Sequence, residues 1–174
     1  MENLNEQLVT AKINDLHCVM QQDKELAKFL TTPAKELPIQ YRYIVQEINN
    51  NENETLYNLI NVTCNYYKNT VKSYFSKVGT KLTGFIAYAH TRNNDEIYEI
   101  KMFSFNPNRS ATVFLADVIH FFDELTKTYK KITWAAIKEN PANKIYQKAI
   151  EKYGGISEVK GNEVHYRIET TSPN

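Results

Sequence analysis

The stretch IYEIKMFSFNPNRSATVFLADVI, residues 97–119, changes its period half-way along, and that change sets the architecture of the chain. Up to Phe105 it is rich in aromatic and β-branched residues, which suit a pleated, half-buried strand. After Asn106-Pro107 it becomes a helix so apolar that most of its surface must be buried, with Asp117, His120 and Glu124 on a narrower polar face. A strand that turns tightly into a buried helix is the first half of a β-α-β crossover. The turn brings Arg109 and the hydroxyls of Ser110 and Thr112 to the mouth of the helix, where N–H groups and the helix dipole favour an anion. Glycine normally lets the backbone approach such a ligand closely, and this turn has none.

Working outward from that crossover, KKITWAAIK reads as its second strand. NPANKIYQKAIEKYGG reads as a helix with proline near its start and glycines at its end, and ISEVKGNEVHYRIET breaks at Lys160-Gly161-Asn162 into a terminal hairpin. Upstream, VKSYFSKV and KLTGFIAYAHTR surround a hairpin turn at Gly79-Thr80, and NNDE turns the chain into the opening stretch. From residue 70 the order is therefore β-β-β-α-β-α-β-β. An antiparallel meander leading into a crossover makes a central mixed, mostly antiparallel sheet with helices on both faces, an α/β (α+β) fold. Before residue 70, QLVTAKI is a short strand, and NDLHCVMQQDKELAKFL is a helix that Asn14 would cap. TTPAKELP breaks it, IQYRYIVQEINN resumes a helical period, and NNNENE is a solvated connection. TLYNLINVTCNYYKN is a further amphipathic helix, and the tail 170–174 frays.

A chain of 174 residues suits one domain over 1–174, with a variable part at 1–69 and the core at 70–169. The 21 Lys+Arg against 20 Asp+Glu leave no global field to attract nucleic acid or an anionic membrane. NYYKNTVKSYFSKVGTK spreads four lysines over two strands, an exposed strand face rather than a stacking platform for bases. No run approaches the about 18 apolar residues of a membrane span, and MENLNEQLVT lacks the basic, then apolar start of a secretory signal, so the expected location is the cytoplasm. Cys18 and Cys64 show no metal spacing and are expected as buried thiols on helices. Asp117, His120 and Glu124 need no metal to explain them.

With that order of elements, two stretches resemble the GNAT-type N-acetyltransferases. FNPNRSATVFLADVI is similar to the family's strand-end V-x-P followed by an [RQ]-x-x-G-x-[GA] loop and a long helix. WAAIKENPANKIYQKAIEKYGG is similar to its next strand and the N-x-x-A-x-x-x-Y helix that closes on glycine. The likeness spans about residues 70 to 169 and implies transfer of an acyl group, normally acetyl, from acyl-CoA to a primary amine. In such proteins two parallel strands splay around the pantetheine arm, and the pyrophosphate meets the helix mouth. Acetyl-CoA would then meet Phe103 and Phe105 on the strand, the turn Arg109, Ser110, Ala111, Thr112, Val113 and Phe114, and, through its amides, Asn140 and Asn143. With Arg109 in the Arg/Gln place, Thr112 and Phe114 take the glycine places. Counted from Pro107, Ser110 takes the first and Val113 and Leu115 the others. Neither register restores a glycine, and Phe114 narrows the site.

For catalysis, the resemblance implies Glu99 as general base, six residues before Phe105 as in histone-acetyltransferase-like members. The alternative is that Glu99 faces solvent in line with Ile97 and Lys101. Tyr146 is the implied acid for the departing thiolate, although it falls sixth after Asn140 and Gln147 holds the seventh place; otherwise it is a core aromatic beside Ile145 and Ala149. Asn140 and Asn143 have helix capping as their alternative. The acceptor would be a small-molecule or peptide amine, its specificity set by EINNNENETLYNLINVTCNYYKN, and a homodimer stays open. The rival reading keeps the fold without the catalysis, as a binding or regulatory module whose altered loop no longer takes the cofactor.

Overall fold

The computed structural model describes residues 7–10, 12–66, 71–79, 81–91, 95–106, 108 and 110–170. The strands are β1 Gln7–Thr10, β2 Val71–Val78, β3 Lys81–His90, β4 Glu96–Ser104, β5 Lys131–Ile137, β6 Ile156–Lys160 and β7 Glu163–Glu169. The helices are α1 Ile13–Gln22, α2 Lys24–Leu30, α3 Gln40–Ile48, α4 Leu56–Tyr66, α5 Ala111–Thr126 and α6 Ala142–Glu151. The strands form one sheet in the order β1-β2-β3-β4-β5-β7-β6. β4 and β5 run parallel, while β1/β2, β5/β7 and β6/β7 are antiparallel. This is the mixed, mostly antiparallel sheet that the order of periods predicts.

Two local expectations change. The predicted single helix after β1 is two, because Asp23 adopts an extended backbone and its carboxylate accepts from Leu26 N at 3.1 Å, capping a new helix where the first ends. Asn14 is not the cap of α1: it lies within the first turn, and Asp15 accepts from the Lys12 N–H at 2.8 Å. Cys18 is also exposed rather than buried. It lies two residues, about 200° of helix, from the buried Leu16, so the two occupy opposite faces of α1.

β3 is buried without a break from Gly84 to Ala89, the pattern of a strand covered on both faces. Phe85 meets Phe75 and Phe103 edge-on, whereas Tyr88, on the other face, packs on Phe121 of α5 and on Tyr129. At Gly84 a Cβ would stand 2.5 Å from the Phe103 carbonyl oxygen, so the close approach of β4 requires glycine there. β4 itself is irregular. Thr91 N donates to Glu96 O and Phe105 N donates to Thr83 O; between these bonds β4 advances nine positions, from 96 to 105, and β3 eight, from 91 to 83. The extra residue is a β-bulge, and the buried positions Ile97, Ile100 and Phe103 accordingly recur every third residue instead of every second.

The chain divides into two compact units, 1–87 with 101–107, and 88–100 with 108–174. In the first, Leu16, Leu30, Tyr41, Leu59 and Ile60 from the helices share a core with Phe75, Phe85 and Phe103 from the strands. In the second, α5 and α6 bury Phe121, Phe122, Leu125, Ile145 and Ile150, and Trp134 of β5 packs on Phe122 at 4.7 Å between ring centroids.

Candidate functional site

The mouth of α5 is built by one serine. Ser110 has the extended backbone of an N-cap; its Oγ accepts from Val113 N at 3.2 Å and its carbonyl from Phe114 N at 3.0 Å. The N–H groups of Ala111 and Thr112 find no acceptor among the described residues, and the side chains of Ala111, Thr112 and Val113 are exposed. Phe114 is half-buried, and its ring leans onto Tyr146 of α6, with centroids 6.4 Å apart at 62°. Pro107 and Arg109 lie outside the described residues.

Beside this mouth the parallel pair opens almost at once. The β4–β5 register holds for Glu96↔Lys131 and Ile97↔Ile132 only, while the opposite edge of β5 pairs with β7 from Lys131 to Ile137. Where the ladder ends, Thr133 uses its hydroxyl, 3.2 Å from Ile97 O, in place of a backbone bond. Tyr98–Ile100 and Thr133–Ile137 continue as strand without pairing to each other. Glu99 stands half-buried on this part of β4, between the exposed Tyr98 and the buried Ile100. Phe103 and Phe105 belong to the first unit, where both side chains are core; the Ser104 carbonyl between them accepts from Tyr41 Oη at 2.9 Å.

At the far end of β5, Asn140 Oδ1 accepts from Ala142 N at 2.9 Å and so caps its own helix. Asn143 is bonded on both sides of its amide. Its Nδ2 donates to Ile137 O and Lys138 O at 2.8 and 3.1 Å, and its Oδ1 accepts from the hydroxyl of Tyr166. It thereby ties the end of β5, the start of α6 and β7 together. Burial pushes the Tyr166 phenol up to about 12, against the opposing pull of Gln147. The Tyr146 ring sits among three others, Phe114, Trp134 at 5.7 Å and Tyr166 at 5.4 Å, while Gln147 is exposed and accepts from Ser157 Oγ at 3.1 Å.

The second unit thus brings Ser110, Phe114, Tyr146 and Asn143 into one continuous cluster. Sequence reasoning missed Tyr166, which stacks on Trp134 at 5.1 Å and 18° across the β5–β7 pair; only the register of those strands reveals it. It also missed a clasp between α5 and α6, in which Asp123 lies 3.0 Å from Lys152 Nζ through each oxygen and accepts from the Tyr153 hydroxyl. Burial works against the Asp123 charge, but Tyr153 and Lys152 outweigh it and hold the carboxyl below its ordinary range. Among the described residues no group of His, Cys, Asp and Glu is placed to hold a metal ion.

No protein-family model and no curated protein matches the sequence. Solved structures do. The spermidine N-acetyltransferase from Vibrio cholerae, in complex with CoA and spermine, superposes with a TM-score of 0.58 at 12% identity over 96% of both chains. RimL, a ribosomal L7/L12 alpha-N-protein acetyltransferase in complex with coenzyme A, gives 0.60 at 10% identity over 96% of this chain and 95% of its own. An acetyltransferase from Thermus thermophilus gives 0.57 at 11% identity over 98% of this chain and 100% of its own. The chain has the GNAT-type N-acetyltransferase fold. In this GNAT fold the opened parallel pair is β4 and β5, and the helix between them is α5 with Ser110 at its mouth.

Proposed function

We propose that the protein is an N-acetyltransferase, moving an acyl group, in the first instance acetyl, from acyl-CoA to a primary amine by direct attack. The observation that carries this reading is the parallel ladder that ends after two pairs, beside a helix mouth with two N–H groups still without an acceptor among the described residues. These residues fit coenzyme A. Phe114, the bulkiest substitute for a glycine, leans onto Tyr146 instead of covering the mouth, and Ala111 and Thr112 are short and exposed.

When bound, acyl-CoA supplies an activated thioester. The N–H groups of Ala111 and Thr112, the hydroxyls of Ser110 and Thr112, and the Arg109 guanidinium hold the pyrophosphate at the positive end of α5, with Val113 and Phe114 bounding it. Asn140, through its amide, holds the pantetheine arm, and Asn143 fixes the corner from which α6 starts. Glu99 takes the proton that the attacking amine loses as its N–C bond forms, and Tyr146 returns a proton to the sulfur as the C–S bond breaks. The acceptor is a small-molecule or peptide amine, and the protein works in the cytoplasm. The Vibrio cholerae spermidine N-acetyltransferase above is in complex with CoA and an amine, spermine.

Calorimetry with acetyl-CoA tests the reading. Micromolar binding is expected, weakened about tenfold by Arg109→Ala through loss of a charged hydrogen bond; no binding at millimolar acetyl-CoA overturns it. The position of Tyr146, packed among three rings and one place from the family's tyrosine, favours a second reading in which the site carries out no transfer. Binding without release of free thiol, across a panel of amines, would establish that one.

A further inference from the structure

Trp134 is 5% exposed, and its indole N–H is the one buried side-chain polar atom among the described residues that meets no hydrogen-bond partner. Three rings enclose it: Phe122 at 4.7 Å, Tyr166 at 5.1 Å and Tyr146 at 5.7 Å. Burial strips this donor of water, a cost that a purely apolar ring would not carry. The indole therefore calls for an acceptor that arrives with a ligand.

We infer that Trp134 Nε1–H is a ligand-binding donor, which bonds a carbonyl oxygen of the acyl-pantetheine arm. This rests on the acyl-CoA reading and adds to it a residue that the reading does not use. Three observations place the donor there. Trp134 follows Thr133, the residue at which the β4–β5 ladder ends. Its side chain lies on the α5 and α6 side of the sheet, against Phe122 and Tyr146. Of its three ring neighbours, Phe122 and Tyr166 are buried while Tyr146 is half-buried and leans on Phe114, so the side that opens faces the first turn of α5. The surroundings are apolar, which selects a neutral acceptor, an amide or thioester carbonyl, and leaves the phosphates to the helix mouth. Tyr146 is the gate in this arrangement: its ring shifts to admit the arm.

The test uses the full chain and its Trp134→Phe variant, titrated calorimetrically with acetyl-CoA and with adenosine 3′,5′-bisphosphate, a fragment that lacks the arm. The variant should bind acetyl-CoA about tenfold more weakly, the effect of one lost hydrogen bond, and the fragment as well as the wild type does. Because Trp134 is the sole tryptophan, the wild-type emission should also change when acetyl-CoA binds and stay unchanged with the fragment. Equal acetyl-CoA binding by both proteins overturns the inference while the acyl-CoA reading stands. Equal weakening toward both ligands shows that Trp134 serves the fold and overturns it too. A wild type that binds no acetyl-CoA removes both.

Discussion

In the first unit the buried side-chain polar atoms of the described residues find partners. Thr63 Oγ1 donates to Leu59 O at 2.8 Å, Thr83 Oγ1 to Ser76 Oγ at 2.9 Å, and Tyr41 Oη to Ser104 O at 2.9 Å. The second unit has a comparable apolar core, yet it keeps the Trp134 N–H without a partner and opens a strand ladder beside it. An unsatisfied buried donor costs about 1–3 kcal/mol, a large share of the stability of an ordinary domain. On that difference the proposed site belongs to the second unit.

The largest expected effect tests the first unit as a closed core. Phe85 is fully buried and lies edge-on to Phe75 and Phe103, so Phe85→Ala should lower the stability in urea unfolding by about 3–5 kcal/mol. A loss below about 1 kcal/mol would mean that this core is loosely packed, and the contrast between the units would disappear. A smaller effect is expected from Asn143→Ala in the second unit. It takes the side-chain donor from Ile137 O and Lys138 O and the acceptor from the buried Tyr166 hydroxyl, at a cost of about 1–3 kcal/mol. Hydrogen exchange should speed up at the start of α6 and the end of β5 and stay unchanged in α1 and α4. Uniform acceleration across all four would show that the units do not respond separately.

Much of the fold could be read from the chain because it lies in local periods. β2 and the terminal hairpin occupy the segments that alternation and turn chemistry mark out, and the apolar run after Asn106-Pro107 is the buried helix α5. What could not be read depends on competition or on partners far along the chain. The helix after β1 breaks because the Asp23 side chain captures Leu26 N, a local contest that propensity alone does not decide. The bulge in β4 follows from its register against β3, which no window of sequence contains. The candidate site divides in the same way. Ser110 and the mouth of α5 were visible as a turn that opens a helix. The Trp134–Tyr166 stack and the bond from Tyr166 to Asn143 required β7, which arrives only after α6 and β6 have intervened.

The smallest expected effect separates the surface of the second unit from its interior. The Asp123 side chain remains 43% exposed while it holds Lys152 and Tyr153, so solvent screens the pair, and Asp123→Asn should cost less than about 1 kcal/mol at neutral pH. The sign of its pH dependence follows from the carboxyl being held below its ordinary range, about 3.9 when unfolded. The folded state then binds the proton less readily than the unfolded state. The clasp's contribution is complete above about pH 4 and disappears as pH falls through the lower, folded value. Thermal unfolding of both proteins from about pH 7 down to about pH 2 should therefore show their difference closing in acid. Tyr153 gives the opposite arm: burial and the Asp123 carboxylate raise its phenol, so its contribution is complete below about pH 10 and declines as pH rises beyond that. With Asn at 123 the raising carboxylate is gone, and the alkaline decline should shrink. A difference that stays constant across the acid range would show that Asp123 acts by packing alone, leaving the two helices joined by their buried rings.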